Sequence, residues 1–222
     1  MACSPSRSER GESKTNSPER GARRHRMFST LLAVLRLLPL RAAVIEPASA
    51  SVRAAWAIEP AHTHIGFSVR HLGLTRTPGI FRRFDAQLAF DDQRVEASSV
   101  SFEIEAASID TALDVRDEHL RGAEWFDVQS HPTIFFVSRS VRNTEGREYV
   151  IEGDLTIRGI TLAVSFDTTL IDRAVNPWTQ SPVVGFEATA NISRSAYGMD
   201  AIPHALSDTV HLTIATEVTL QP

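Results

Sequence analysis

The chain has 222 residues, 42% hydrophobic and 23% charged, which is the composition of a folded globular protein and excludes a wholly disordered one. Its net charge of −4 hides an asymmetry: residues 1–50 carry nine Lys/Arg against four Asp/Glu, and residues 51–222 carry 14 against 23. An acidic body without a basic stripe argues against nucleic-acid binding, which needs clustered cations to displace counterions. The single cysteine, Cys3, lies in the N-terminal tail, so the body has no disulfide, no thiolate metal site and no cysteine nucleophile.

Residues 1–26 are polar and without apolar periodicity, which predicts a disordered tail. From Met27 the text changes to FSTLLAVLRLLPL and closes on PASA at Ala50. A basic run (Arg23, Arg24, Arg26), an apolar core and the small-x-small site Ala48–Ser49–Ala50 are the parts of a secretory signal over residues 27–50. The uncharged run from Met27 to Leu35 is far short of the ~20 residues a bilayer span needs. Met27 is an alternative start, which would remove the tail. An amphipathic helix following a disordered tail is the competing reading of this segment.

From Trp56 onward the period of two dominates. Ile65, Phe67, Val69 and His71 fall on one face of the first strand, and Ile80, Phe84, Leu88 and Phe90 on one face of the second. Val100, Phe102, Ile104 and Ala106 repeat the pattern in the third. Further strands are predicted over 133–141, 147–157, 161–172, 183–194 and 209–220. Turn residues punctuate them at Asp91–Asp92, Asn143 to Gly146, Arg158–Gly159 and Asn176–Pro177. Eight sequential antiparallel strands suit a closed up-and-down barrel, which leaves no exposed edge. Most run well beyond the usual ~5–6 residues, so the interior is either an elongated apolar tunnel or a solid core. Periodicity fits both.

The stretch Ser108–Val128, SIDTALDVRDEHLRGAEWFDV, is the one helical segment, between the third and fourth strands. Thr111 and Asp114 have capping-box spacing, and Gly122 is placed to stop the helix. Arg116, Asp117 and His119 invite a catalytic reading, with a base and an orienting carboxylate. Against it, positions i, i+1 and i+3 do not share one helix face, and no G-x-S-x-G, HExxH or P-loop occurs. Charge that anchors a cap on the barrel is the competing explanation. His62 and His64 form an HxH pair with metal-ligand spacing, but their parity opposes the apolar positions, so both should face outward. His211 is the partner a closed barrel would offer them. No metal site is assigned.

The order of motifs resembles the YceI-like family from Trp56 to about Val218. WAIEPAHTHIGFSVRHLG is similar to the family's opening, followed in order by GIFRRFDAQLAFD, SSVSFEIEAASIDT, RDEHLRG, EWFDV, HPTIFF and YVIEGDLTIRGIT. Departures are Glu59 for Asp, Ala86 for Gly, Gly122 for Ser and Glu124–Trp125 for Asp–Phe. The resemblance implies an all-β, extended eight-stranded lipocalin-like barrel over residues 54–222, with one short helix between strands 3 and 4. It further implies a periplasmic location, a homodimer, and a long isoprenoid or related amphiphile, such as a prenyl quinone, held in a tunnel as ligand rather than cofactor. On that footing the lipid-lining positions are Phe67, Val69, Phe102, Ile104, Phe136 and Leu155, with Trp125 and Phe126 at a mouth. Arg116, Asp117 and His119 would hold the helix as a gate. The expected partners are the lipid and, transiently, a membrane surface. Two alternatives remain: an enzyme acting on an isoprenoid-like substrate through Arg116, Asp117 and His119, and a solid-core barrel that binds a partner.

Overall fold

The computed structural model describes residues 56–91 and 93–221; the tail and leader assigned to residues 1–50 lie outside them. The strands are β1 (Trp56–His71), β2 (Thr75–Phe81), β3 (Phe84–Ala89), β4 (Ser99–Glu105), β5 (Ile109–Asp110), β6 (Thr133–Glu145), β7 (Glu148–Ile157), β8 (Ile160–Val175), β9 (Pro182–Ser193) and β10 (Leu206–Leu220). The helix α1 spans Asp114–Arg121. All pairings are antiparallel, and β10 closes back on β1.

Ten segments make eight barrel positions, because two strands are bent. β2 pairs with the second half of β1, and β3 meets its start through Trp56 and Leu88. Between them the chain kinks at Arg82–Arg83. Both kink amides are taken by Ser108, Arg82 N–H by its carbonyl and Arg83 N–H by its Oγ. β5 continues β4 after a 3₁₀ turn at Ala106–Ser108 and pairs with β2. The result is the closed eight-stranded antiparallel barrel with one helix that the alternation predicts.

The kink corrects one detail. Strict alternation puts Ile80 on the inner face with Phe84, Leu88 and Phe90, yet Phe81 is the inward residue, packed in the core beside Phe84. The bend at Arg82–Arg83 shifts the parity by one, as a bulge does. A second irregularity lies in β1, where Ile58 pairs with Val218 but Thr63 with Thr216, so Glu59–His62 bulge from the ladder. The β7–β8 link is the tight turn Arg158–Gly159, with φ of 51° and 72°. Positive φ at both central residues is what a two-residue hairpin needs to match strand twist, and Gly159 adopts it freely.

Candidate functional site

The inner faces of the strands enclose a cavity of ≈ 440 Å³ that runs along the barrel, inside the range of about 300–1,000 Å³ typical of small-molecule sites. At the helical end it is lined by His71, Pro78, Thr111, Arg116, Trp125 and Phe126. His71 and Pro78 are exposed, so the cavity reaches the surface there. Phe102, Ile104, Phe136, Leu155 and Phe166 form the middle, and Phe136 and Phe166 meet edge to face at 5.2 Å. Toward the opposite end it reaches a second apolar cluster around Phe90, which meets Trp56 and Phe186 edge to face at 6.0 and 5.4 Å.

Close packing around the cavity has a visible local cause at Gly153 in β7. A Cβ there would stand 2.6 Å from the ring of Phe136 and 2.5 Å from the carbonyl of Val137. Only a residue without a side chain lets the Phe136 ring lie across the inner wall.

All eight positions named as lipid-lining border the cavity: Phe67, Val69, Phe102, Ile104, Trp125, Phe126, Phe136 and Leu155. The three gate residues separate. Arg116 borders the cavity, and its guanidinium donates to Thr111 Oγ1 (2.7 Å) and the Thr111 carbonyl (2.6 Å). Asp117 is buried, and its Oδ1 accepts from the Thr111 amide (2.9 Å) and hydroxyl (2.5 Å). His119 is exposed, 4.0 Å from Glu124, with its ring edge-on to Trp125 at 6.1 Å. The structure therefore joins Arg116 and Asp117 through Thr111 and leaves His119 on the surface. Thr111 is not the helix N-cap; Leu113 is, without a side-chain cap bond. Two side chains from the first turns reach back to Thr111 instead, which fastens the helix to β5. Gly122 does end α1, with φ −69°, so it needs no left-handed conformation.

Sequence reasoning missed Arg194. It is buried and borders the cavity, and its guanidinium donates to the carbonyls of Ser207, Met199, Ala201 and Leu206. Its Cζ stands 5.6 Å from the centre of the Trp125 ring, a cation–π contact strengthened by burial. Parity was the available signal, because Arg194 follows inward Ile192 by two. Beside it Tyr197 is 1% exposed and donates weakly to the Leu155 carbonyl at 3.5 Å. Burial pushes its phenol up to about 12. Trp125 Nε1 and Thr168 Oγ1 are buried with no hydrogen-bond partner among the described residues.

The histidine pair stays outside. His62 and His64 are both exposed, and Nδ1 of His62 is 3.6 Å from Glu217. His211 sits opposite Ser68 rather than His64 and contacts Asn191 at 3.1 Å. No group of three or more metal-ligating side chains occurs among the described residues.

A closed antiparallel barrel around an apolar, side-chain-lined cavity, with a helix at one end, defines a lipocalin-like barrel. The chain belongs to the YceI-like family, whose domain model matches residues 56–218. Among curated relatives, UPF0312 proteins of Pectobacterium atrosepticum and Photorhabdus laumondii are 36% and 35% identical, over 72% and 70% of this chain and 82% and 80% of theirs. Solved structures share the fold. Burkholderia cenocepacia BcnA is similar with TM-score 0.66 at 23% identity, over 72% of this chain and 98% of that one. A polyisoprenoid-binding domain from Saccharophagus degradans, implicated in plant cell wall breakdown, has TM-score 0.57 at 12% identity, over 76% and 99%.

Proposed function

We propose that this barrel takes up one long-chain isoprenoid or similar amphiphile, of the prenyl quinone or polyprenyl type, and carries or stores it in the cell envelope. The observation that carries the reading is the continuous apolar cavity, bordered from Phe67 and Val69 to Phe90 and Phe186 by side chains of nearly every strand. It is supported by the likeness in fold to the polyisoprenoid-binding domain of Saccharophagus degradans. Burial alone provides the driving force: each methylene removed from water contributes ~0.8 kcal/mol, so ~10 of them give ~8 kcal/mol before ordering costs. That corresponds to micromolar affinity. An envelope location rests on the signal-like residues 27–50 and is part of the same proposal.

The catalytic alternative is disfavoured by placement. Of Arg116, Asp117 and His119 only Arg116 borders the cavity, Asp117 is engaged by Thr111, and His119 points away. A solid-core barrel is disfavoured by the cavity itself.

The test is titration of solvent-extracted protein with a long-chain prenyl quinone, followed through tryptophan fluorescence. Saturable quenching is expected in the wild type and its loss in Phe136→Trp, which fills the middle of the tunnel. An absence of saturable binding by the wild type would end the proposal.

A further inference from the structure

We propose that the helical mouth of the barrel docks on an anionic lipid bilayer and receives its ligand there without passing it through water. The inference rests on the lipid-binding reading above. Three chain segments ring this mouth: the β1–β2 hairpin at Leu72–Leu74, the lead-in and first residues of α1 from Ala112 to Val115, and the loop from Asp200 to Ala205. Each is flanked by residues that border the cavity, His71, Thr111 and Arg116, and Leu206 respectively. The first and third are tied by the bond from Leu72 N–H to the Ala205 carbonyl. The second lies against β2, where Thr111 abuts Gly79.

Each segment presents large apolar side chains to solvent: Leu74 is 77% exposed, Val115 73%, Leu72 56%, Leu113 48% and Ile202 40%. Loop tips are normally polar, and clustered apolar exposure on a folded protein marks an interaction surface. Each segment also contains one residue with a Cβ at positive φ: Leu72 at 50°, Ala112 at 61° and Ile202 at 53°. Such conformations are uncommon, most of all for β-branched isoleucine. Three of them in one ring point to a shape kept for use.

The occupant follows from continuity and charge. The rim is an extension of the apolar wall, so a hydrocarbon chain sliding from a bilayer would meet apolar surface at every step. Arg70 and Arg76 face each other across β1 and β2 just before the hairpin. Their bonds go to the Gly73 carbonyl and Ser68 Oγ, not to carboxylates. Arg116 is balanced by Asp117 across Thr111, so Arg70 and Arg76 are the cations that offset Asp114 and Asp200 at this rim, on a body that is otherwise acidic. Such a body would meet an anionic membrane most readily by the end where its negative charge is offset.

The experiment is flotation of the purified mature protein, freed of the signal-like residues 27–50 and the tail before them, with phosphatidylcholine vesicles, with or without phosphatidylglycerol, alongside prenyl quinone binding in detergent. The wild type is expected to float with the phosphatidylglycerol vesicles and to be released by salt. Leu74→Ser with Val115→Ser should weaken vesicle binding by about tenfold or more and leave quinone binding in detergent unchanged. Arg70→Gln with Arg76→Gln should remove only the preference for phosphatidylglycerol. Phe136→Trp, which blocks the tunnel, should still float, so loss of ligand and loss of docking are read separately. Equal flotation of the Leu74/Val115 variant and the wild type would overturn the proposal. So would a wild type that ignores both vesicles, including one whose rim residues instead hold a dimer by light scattering.

Discussion

At Thr111 four hydrogen-bonding roles meet within a few ångströms, and the attachment of α1 depends on them. Its amide and hydroxyl both donate to Asp117, while its hydroxyl and carbonyl both accept from Arg116. Asp117→Asn replaces the charged acceptor of both Thr111 bonds with a weaker neutral one beside the Arg116 guanidinium, so it should cost ~1–3 kcal/mol and loosen α1. Urea unfolding and amide exchange over 109–121 would measure both. Tyr197 makes a second prediction of opposite kind. Its phenol is held up to about 12 by burial, against ~10 in the unfolded chain. Between those values the unfolded state has lost a proton that the folded state keeps. Stability is therefore fully present below ~10 and falls by on the order of 2–3 kcal/mol as pH rises to ~12. Tyr197→Phe should lack that part of the alkaline loss, while costing under ~1 kcal/mol at neutral pH because its bond to Leu155 is long. An alkaline loss of the same size in both proteins would refute the assignment.

At the scale of strands, the alternation of Val100, Phe102 and Ile104, or of Val210, Leu212 and Ile214, was legible because one face must be apolar and the other wet. These residues border the cavity as read. What escaped was each place where the backbone leaves the ladder. The kink at Arg82–Arg83 has no Gly or Pro to announce it; its cause is Ser108, a long-range partner that accepts both amides. For Arg194 parity marks the inward position, but its four carbonyl acceptors lie in residues 199–207, so nothing local shows how the buried charge is satisfied. Thr111 was seen as a cap by spacing alone, and the structure gives its hydroxyl to a neighbour further along. Gly153 allows a direct test of the packing between β6 and β7. Gly153→Ala drives a methyl into the Val137 carbonyl and the Phe136 ring, so it should lower stability by ~1–3 kcal/mol and narrow the cavity. Denaturant midpoints and quinone affinity should fall together; unchanged values for both would show that the strands yield without strain.

For the whole molecule, the closed barrel and the apolar cavity impose opposite demands. Closure leaves no free edge strand around most of the circumference, and the cavity leaves inner side chains short of contacts that a solid core would give them. A bound chain would supply those contacts, so the ligand should stabilise the fold. At a free concentration of 100 times Kd the gain is about 2.7 kcal/mol, readable as a higher Tm on adding prenyl quinone to extracted protein. The measurement that bears most directly on the central claim is native mass spectrometry of the purified protein, before and after organic extraction and after re-addition of a long-chain prenyl quinone. The account predicts one lipid-sized mass increment on the purified chain, its loss on extraction, and a single quinone mass on re-addition. A bare chain at every stage, taking up no quinone, would contradict it.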